Sequence, residues 1–335
     1  MWGSRRAQPC PGFPRGRLAD AASRPEIPIT IIICTHNRAN KLRRTLEAVL
    51  DLDFPAQDYE VIVVDNGSTD GTAQVCHDME GRFRGRLQII HEPVPGAGRA
   101  RNTGLHAARG SLIACLDDDI IPRQDWLRVI QNEFGADPDL AAISGRVELL
   151  NPADLPMTIR RQTDRIPFTS PGDAFVLFVG CNEVVRREVY TAIGFYDPDF
   201  GPGSRWRSSD DSDFIYRAWK AGDKLIYVPS LFVYHDHGRR TSEAGLKLRR
   251  DYAVGRGGFY AKHILLGDIL ALKCMCEEML WSIQNRALRY WLQELRWLFR
   301  GFTSYCLVWS ARHLARALAL DPYKRPNREA GSSLQ

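Results

Sequence analysis

The chain has 335 residues, 44% of them apolar and 25% charged, which suits one large α/β domain with an appendage and excludes a disordered protein. Its net charge of +5 is uneven: residues 239–325 hold 16 Lys/Arg against 7 Asp/Glu, and since no recognition motif accompanies this excess, nucleic acid is not the expected partner. There is no run of about 18 apolar residues to span a membrane. The eight cysteines are scattered without a CxxC pair, which points to free thiols and a cytoplasmic, reducing compartment.

Residues 1–27 lack the apolar stretch of a signal peptide and read as a flexible tail, as do residues 326–335. Ile29–Cys34 is β-branched and nearly continuously apolar, the pattern of a buried parallel strand. It opens into the polar loop Thr35-His36-Asn37-Arg38, and Leu42, Leu46, Val49 and Leu50 then recur at helical spacing. Tyr59–Val64 repeats the strand and ends in Asp65-Asn66-Gly67-Ser68-Thr69-Asp70-Gly71, with N-cap formers ahead of a second helix. A short strand at Leu87–Ile90, the turn Pro93–Gly96 and an Ala-rich helix over Ala97–Ala108 follow.

Next comes Ser111–Leu116, an apolar strand that ends in Asp117-Asp118-Asp119 before Pro122. Adjacent carboxylates repel one another and cost desolvation if buried, unless a cation or several donors lie among them. A hard divalent cation is one answer, and an acidic solvated turn is the other. Alternating strands and helices imply right-handed crossovers and a mostly parallel sheet, which binds ligands at strand carboxyl ends. Thr35, Asp65 and Asp117 all fall at such ends, and this coincidence favours the cation.

Further on, the pattern predicts a helix over Asp125–Phe134, a strand at Leu140–Ile143, a loop-rich stretch over 151–172 and a strand at Phe175–Val179 ending in Gly180-Cys181-Asn182. A helix near Arg186–Ile193 precedes Gly201-Pro202-Gly203-Ser204, read either as a loop that closes over substrate or as a plain turn. Ser208–Asp213 supplies N-caps for a helix over Phe214–Ala221. Strands at Leu225–Val228 and Leu231–Tyr234 end in His235-Asp236-His237, two histidines placed to serve as metal ligands or phosphate donors, or else as exposed loop. From Lys262 onward the chain reads as helices. Leu288, Trp291, Leu292, Leu295, Leu298, Phe299 and Phe302 form a stripe, with Arg286, Arg289, Arg296 and Arg300 off it. Such a helix suits a membrane interface, the catalytic domain or a second subunit.

Five motifs in order carry a resemblance: Ile31–Arg38, Val63–Asp70, Ala100–Gly104, Leu116–Asp119 and Ser209–Asp211. Together they resemble the family 2 glycosyltransferases with a GT-A fold, in a bacterial-type version, over roughly Pro28–Gly238. The resemblance implies an α/β, Rossmann-like, mostly parallel sheet flanked by helices, as a catalytic domain over 28–238 with a basic amphipathic helical extension over 239–325. It implies inverting, metal-dependent and non-processive transfer of a sugar from a UDP-, GDP- or dTDP-linked donor to the hydroxyl of a glycan or lipid-linked acceptor. Mn²⁺ or Mg²⁺ is the implied cofactor. Oligomerisation is open, and the expected location is the cytoplasm, either free or peripheral at the cytoplasmic membrane face.

By the same resemblance Thr35, Asn37, Asp65 and Asn66 hold the nucleoside, and Arg101 and Asn102 lie near the diphosphate. Asp117 and Asp119 are the outer acids of the Asp-x-Asp motif, facing ribose and metal, with Asp118 beside them on the donor. Asp211 matches the second acid of the family's Glu-Asp motif and is the general base; His235 and His237 are candidate further metal ligands by their place after the strand alone. Asp210 stands where Glu is commoner and Asn66 where Asp is common, which leaves base specificity open. Gln293-Glu294-Leu295-Arg296-Trp297 spells the QxxRW of processive synthases, but it lies inside the amphipathic stripe, which explains Leu295 and Arg296 by periodicity alone. The chemistry is consistent: charge develops on the leaving diphosphate, and the acceptor hydroxyl must lose a proton to a carboxylate. A nucleotidyltransferase would need a Gly-rich phosphate loop after the first strand, and a degenerate binder would lack the acids.

Overall fold

A computed structural model describes residues 28–285 and 287–319; Arg286 and the two tails lie outside the described residues. The first half is built from β1 (Ile29–Thr35), α1 (Ala39–Leu50), β2 (Tyr59–Asp65), α2 (Thr72–Phe83), β3 (Leu87–His91), α3 (Ala97–Ala107) and β4 (Leu112–Asp117). These strands pair in parallel in the order β3-β2-β1-β4. Their side chains alternate between two buried faces. Ile31 and Ile33 pack with Leu42, Leu46, Met79 and Phe83 of α1 and α2, while Ile32 packs with Ala100 and Leu105 of α3. A Cβ at Gly104 would lie 2.7 Å from Ile32 Cγ2, so the small residue lets α3 lie close on the sheet.

The second half adds β5 (Ile120–Pro122), α4 (Trp126–Ala136), β6 (Leu140–Leu149), β7 (Ile166–Pro167), α5 (Asp173–Val176), β8 (Asn182–Arg186), α6 (Arg187–Ile193), α7 (Asp210–Lys220) and β9 (Lys224–His235). Here the sheet is mixed. β8 runs antiparallel between β4 and β6, β6 and β9 are parallel, and β5 and β7 pair antiparallel with β9. The strand expected at Phe175–Val179 is instead the short α5 and a turn, and β8 lies six residues beyond α5. Its first residues, Asn182 and Glu183, are buried polar groups, which hid it from an apolar-run reading. The Asn182 amide donates to Leu231 O at 2.9 Å and Arg146 O at 3.2 Å, and its carbonyl accepts from Trp126 Nε1 at 3.0 Å. These bonds bridge the place where the β6–β9 register slips, between Gly145 and Arg146. The two strand pieces expected over 225–234 are one bulged strand.

Three helices follow: α8 (Ser242–Leu265), α9 (Ile269–Asn285) and α10 (Leu288–Ala319). Helix begins twenty residues before Lys262, with Thr241 Oγ1 accepting from Ala244 N at the cap. Four glycines obscured α8 in the sequence, because glycine disfavours a helix interior. Two of them make its packing possible: a Cβ at Gly257 would strike the Leu298 carbonyl, and one at Gly258 would strike the Trp206 ring. Leu298 is buried, and Phe302, Tyr305 and Val308 pack on the second core, so this stretch of α10 docks on the catalytic body. Leu288, Leu292 and Phe299 of the same expected stripe are exposed. Among the described residues no helix is long and apolar enough to cross a membrane, and the seven described cysteines are free.

Candidate active site

The register sets Thr35 beside Asp65 and Cys34 beside Asp117, so β1, β2 and β4 end level. A cleft of about 840 Å³ opens there. One wall carries Thr35, His36, Arg38, Asn66 and Arg101, the floor carries Asp117, Asp118, Asp119 and His235, and the far wall carries Arg239, Lys247, Asp251 and Tyr252.

Asp118 and Asp119 are 3% and 2% exposed, which rules out a solvated acidic turn. Asp118 accepts from Thr35 Oγ1 at 2.7 Å and Arg38 Nη1 at 2.8 Å. Burial nevertheless outweighs these donors and pushes its carboxyl up to about 6. Asp119 behaves oppositely. Burial works to raise its pKa, but His235, Arg38 and Lys41 outweigh that and hold the carboxyl well below the usual range. Its Oδ2 accepts from Arg38 Nη1 at 3.0 Å, whereas its Oδ1 is buried without a hydrogen-bond partner, 3.3 Å from His235 Nε2. His235 Nδ1 lies 3.4 Å from the Thr158 carbonyl, and donation there leaves Nε2 as a lone pair facing the carboxylate oxygen. The other tautomer, with the proton on Nε2, or a cation between the two atoms removes that repulsion.

The second acidic cluster reaches the cleft through Arg101. Its guanidinium is buried, pairs with Asp210, and lies 3.2 Å from Asp117 Oδ1. Burial lifts Asp210 to about 6 against the pull of Arg101. Ser209, in left-handed backbone with φ 70°, makes no side-chain cap, so this cluster does not cap α7 as expected. Asp210, Asp211 and Asp213 instead form its first turn. Asp211 does not line the cleft. Its Oδ2 accepts from Gly180 N at 2.8 Å and its Oδ1 from Ser212 N at 2.7 Å. Asp211 Oδ2 and Arg101 Nη2 flank Gly180, where an added Cβ would lie 3.1 and 3.3 Å from them. Gly201 and Gly203, at φ 94° and 80°, require glycine, and Pro202 O accepts from Ala97 N at 2.9 Å to tie their loop to α3.

Several expected site residues are held elsewhere. Asn37 Oδ1 accepts from Thr69 N at 2.7 Å on the exposed side of the loop, and Asp65 Oδ1 accepts from Ser68 N at 3.0 Å. Neither lines the cleft. Asn66 does, but its amide binds Glu92 O, Val94 O and Gly96 N and so shapes the β3–α3 turn. Asn102 pairs twice with the Tyr196 backbone and is absent from the lining. His237 is buried away from the cleft, with Nε2 donating to Leu155 O at 3.0 Å and Nδ1 accepting from Arg239 N at 2.9 Å.

Sequence reasoning missed Arg38 as a partner of both buried acids. It also missed the α8 wall and Glu183, which burial pushes up to about 8 while Tyr196 donates to it. Arg38 is the last residue of the first motif and was open to notice. Glu183, in a strand of unremarkable pattern, left no local signal.

A parallel sheet with carboxylates gathered at its strand ends, extended by a mixed sheet around one cleft, is the GT-A glycosyltransferase architecture. Residues 30–194 match the family model of glycosyl transferase family 2. The glycosyltransferase AglE of Haloferax volcanii is 26% identical, over 80% of this chain and 85% of that protein. The pre-mycofactocin glycosyltransferase of Mycobacterium tuberculosis is 28% identical over 62% of this chain, which spans 43% of that protein's length. Among solved structures, the mannosyltransferase PcManGT from Pyrobaculum calidifontis, in complex with GDP-Man and Mn²⁺, is similar with a TM-score of 0.57. It is 20% identical, covering 90% of this chain and 89% of that one. S. aureus TarS 1–349 in complex with UDP-GlcNAc gives a TM-score of 0.54 at 18% identity, over 69% of this chain and 66% of that one. The family 2 domain over residues 30–194, the curated relatives and the structural neighbours support a family 2 glycosyltransferase, and the chain is a glycosyltransferase with the GT-A fold. That sets aside nucleotidyl transfer.

Proposed function

We propose that the chain transfers one sugar per encounter from a nucleotide-diphosphate donor to an acceptor hydroxyl, with inversion, using Mn²⁺ or Mg²⁺. The observation that carries this is the unmatched Asp119 Oδ1 facing His235 Nε2. Among the described residues no group of three or more His, Cys, Asp or Glu side chains is arranged to hold an ion. Two protein donors nevertheless fit a hard cation whose remaining positions go to water and phosphate oxygens. Asp119 and His235 would hold it, and when bound it would neutralise charge on the leaving diphosphate. The neighbours crystallised with GDP-Man and Mn²⁺ or with UDP-GlcNAc support a nucleotide-sugar donor.

The chain's own groups complete the reading. Arg38 and Thr35 hold Asp118, and Arg101 orients Asp117 toward the donor. Of the paired acids, Asp210 is held by Arg101, and the acceptor proton is assigned to Asp211 from the motif it matches, although its carboxylate accepts the Gly180 and Ser212 amides and is not part of the cleft lining. An attack opposite the leaving group inverts the anomeric carbon. The QxxRW stretch, Gln293–Trp297, lies in α10 and contributes nothing to the cleft lining, which supports single transfers over processive synthesis.

Thermal stabilisation by UDP-, GDP- and dTDP-sugars, each with and without Mn²⁺, tests this. One donor class should stabilise the protein far more with metal than without, and H235A should erase that difference. A metal-dependent increment that survives both H235A and D119N would overturn the assignment.

A further inference from the structure

We propose that the outer faces of α9 and α10 seat this enzyme on an anionic lipid surface. This adds to the reading of the cleft without resting on it. α9 turns Ala271, Cys274 and Ser282 inward and presents Ile269, Leu272, Leu280 and Ile283 outward, at 78%, 42%, 59% and 52% exposure. Their spacing places all four within about a quarter of the helix circumference. Three residues after α9 ends, α10 continues the pattern with exposed Leu288, Leu292 and Phe299 in a single row, and Leu307 and Leu314 further along. A row of Leu, Ile and Phe this long is unusual on a surface that meets only water.

Charge decides the occupant. Arg289, Arg296 and Arg300 are exposed and, at 3.6 residues per turn, form a second row along one side of the α10 apolar stripe. Lys273 of α9 stands 3.7 Å from Glu277, an exposed pair with no net charge. A second copy of the chain packed symmetrically on α10 would set these arginines against their own kind. Anionic headgroups would instead meet the whole row while the apolar stripe enters the acyl boundary. Trp281 and Tyr290, both exposed near the α9–α10 junction, are the aromatic types that sit at headgroup depth. Neither helix can cross the bilayer, so the contact is one of lying on the surface.

The test is co-sedimentation of the full chain with phosphatidylcholine vesicles, with and without phosphatidylglycerol, across a salt series. Binding should require phosphatidylglycerol and fall as salt rises. Replacing Arg289, Arg296 and Arg300 together by Gln should weaken binding about a hundredfold, near fivefold per charge. Replacing Ile269, Leu272, Leu280 and Ile283 by Gln should abolish it. Both variants should keep the parent melting temperature and nucleotide-sugar binding, because the residues are exposed and outside the cleft. Equal binding to neutral vesicles, no binding by folded protein, or an unaffected arginine variant would each overturn the proposal. So would a concentration-dependent dimer in sedimentation velocity that the apolar variant loses, found without vesicle binding, since that assigns the face to a second copy.

Discussion

Two buried carboxylates, Asp119 at the end of β4 and Asp213 in the first turn of α7, have nearly the same neighbours and opposite consequences. Each sits with two cationic side chains and a histidine. Asp213 accepts from Arg217 Nε at 2.9 Å, Lys262 Nζ at 2.7 Å and His263 Nε2 at 2.9 Å, so both its oxygens are matched. Against the upward push of burial, these partners hold its pKa well below the usual range. It ties α7 to α8 and has nothing left to offer a ligand. Asp119 keeps one oxygen unmatched beside a histidine nitrogen, at the floor of a cleft. Composition is therefore a poor guide to which acidic cluster is a site, and the count of unmatched lone pairs is a better one.

The comparison breaks first at Asp213. D213A takes the shared carboxylate from Lys262 and Arg217, each at most 5% exposed, leaving Lys262 to Asp197 and Arg217 to the Ile193 and Phe195 carbonyls, and should cost about 3–5 kcal/mol in denaturant unfolding with no dependence on metal. D119N should do the reverse. It should lower metal-dependent transfer about a hundredfold or more while changing stability far less, because it removes charge stabilisation needed only during reaction. If the two variants show the same balance of stability and activity loss, the distinction fails.

Glu183 sharpens the comparison with a third case, a buried acid with an unmatched oxygen but no cleft. Burial lifts it from 4.5 to about 8, so between those values the folded chain holds a proton that the unfolded chain releases. Stability should accordingly be greatest below pH 4.5 for this group and fall as pH rises through 8, by up to about 1.4 kcal/mol per pH unit. E183Q should flatten that slope in melts taken across pH 5 to 8. The smallest effect belongs to Asn37, whose left-handed backbone at φ 54° suits glycine. N37G should leave donor affinity within about twofold and change stability by no more than about 1 kcal/mol, the worth of its bond to Thr69. A large loss of donor affinity would bring Asn37 back into the nucleotide site.

Much of this molecule was legible along the chain. Period-2 and continuous apolar runs marked β1, β2 and β4, their ends placed Thr35 and the Asp117–Asp119 run together, and the spacing of α1 to α4 is that of ordinary amphipathic helices. The misses share a cause. β8 was hidden because buried Asn182 and Glu183 make it look polar, α8 because its glycines favour close packing over helix propensity, and the cap expected from Ser209 because its backbone turns left-handed.

The sequence alone determined the alternation of strands and helices, the acidic strand end and the order of motifs, since these depend on local periodicity and covalent neighbourhood. Only the tertiary structure decided which polar atoms remain unmatched. His235 and His237 are two residues apart, yet one faces Asp119 and the other is closed off by Leu155 and Arg239. Asp119 meets its histidine across 116 residues of chain, and Asp210 meets Arg101 across 109. Hydrogen bonding is saturable and directional, so a residue's chemistry depends on which partners the fold brings to it, and neighbours in sequence do not reveal that.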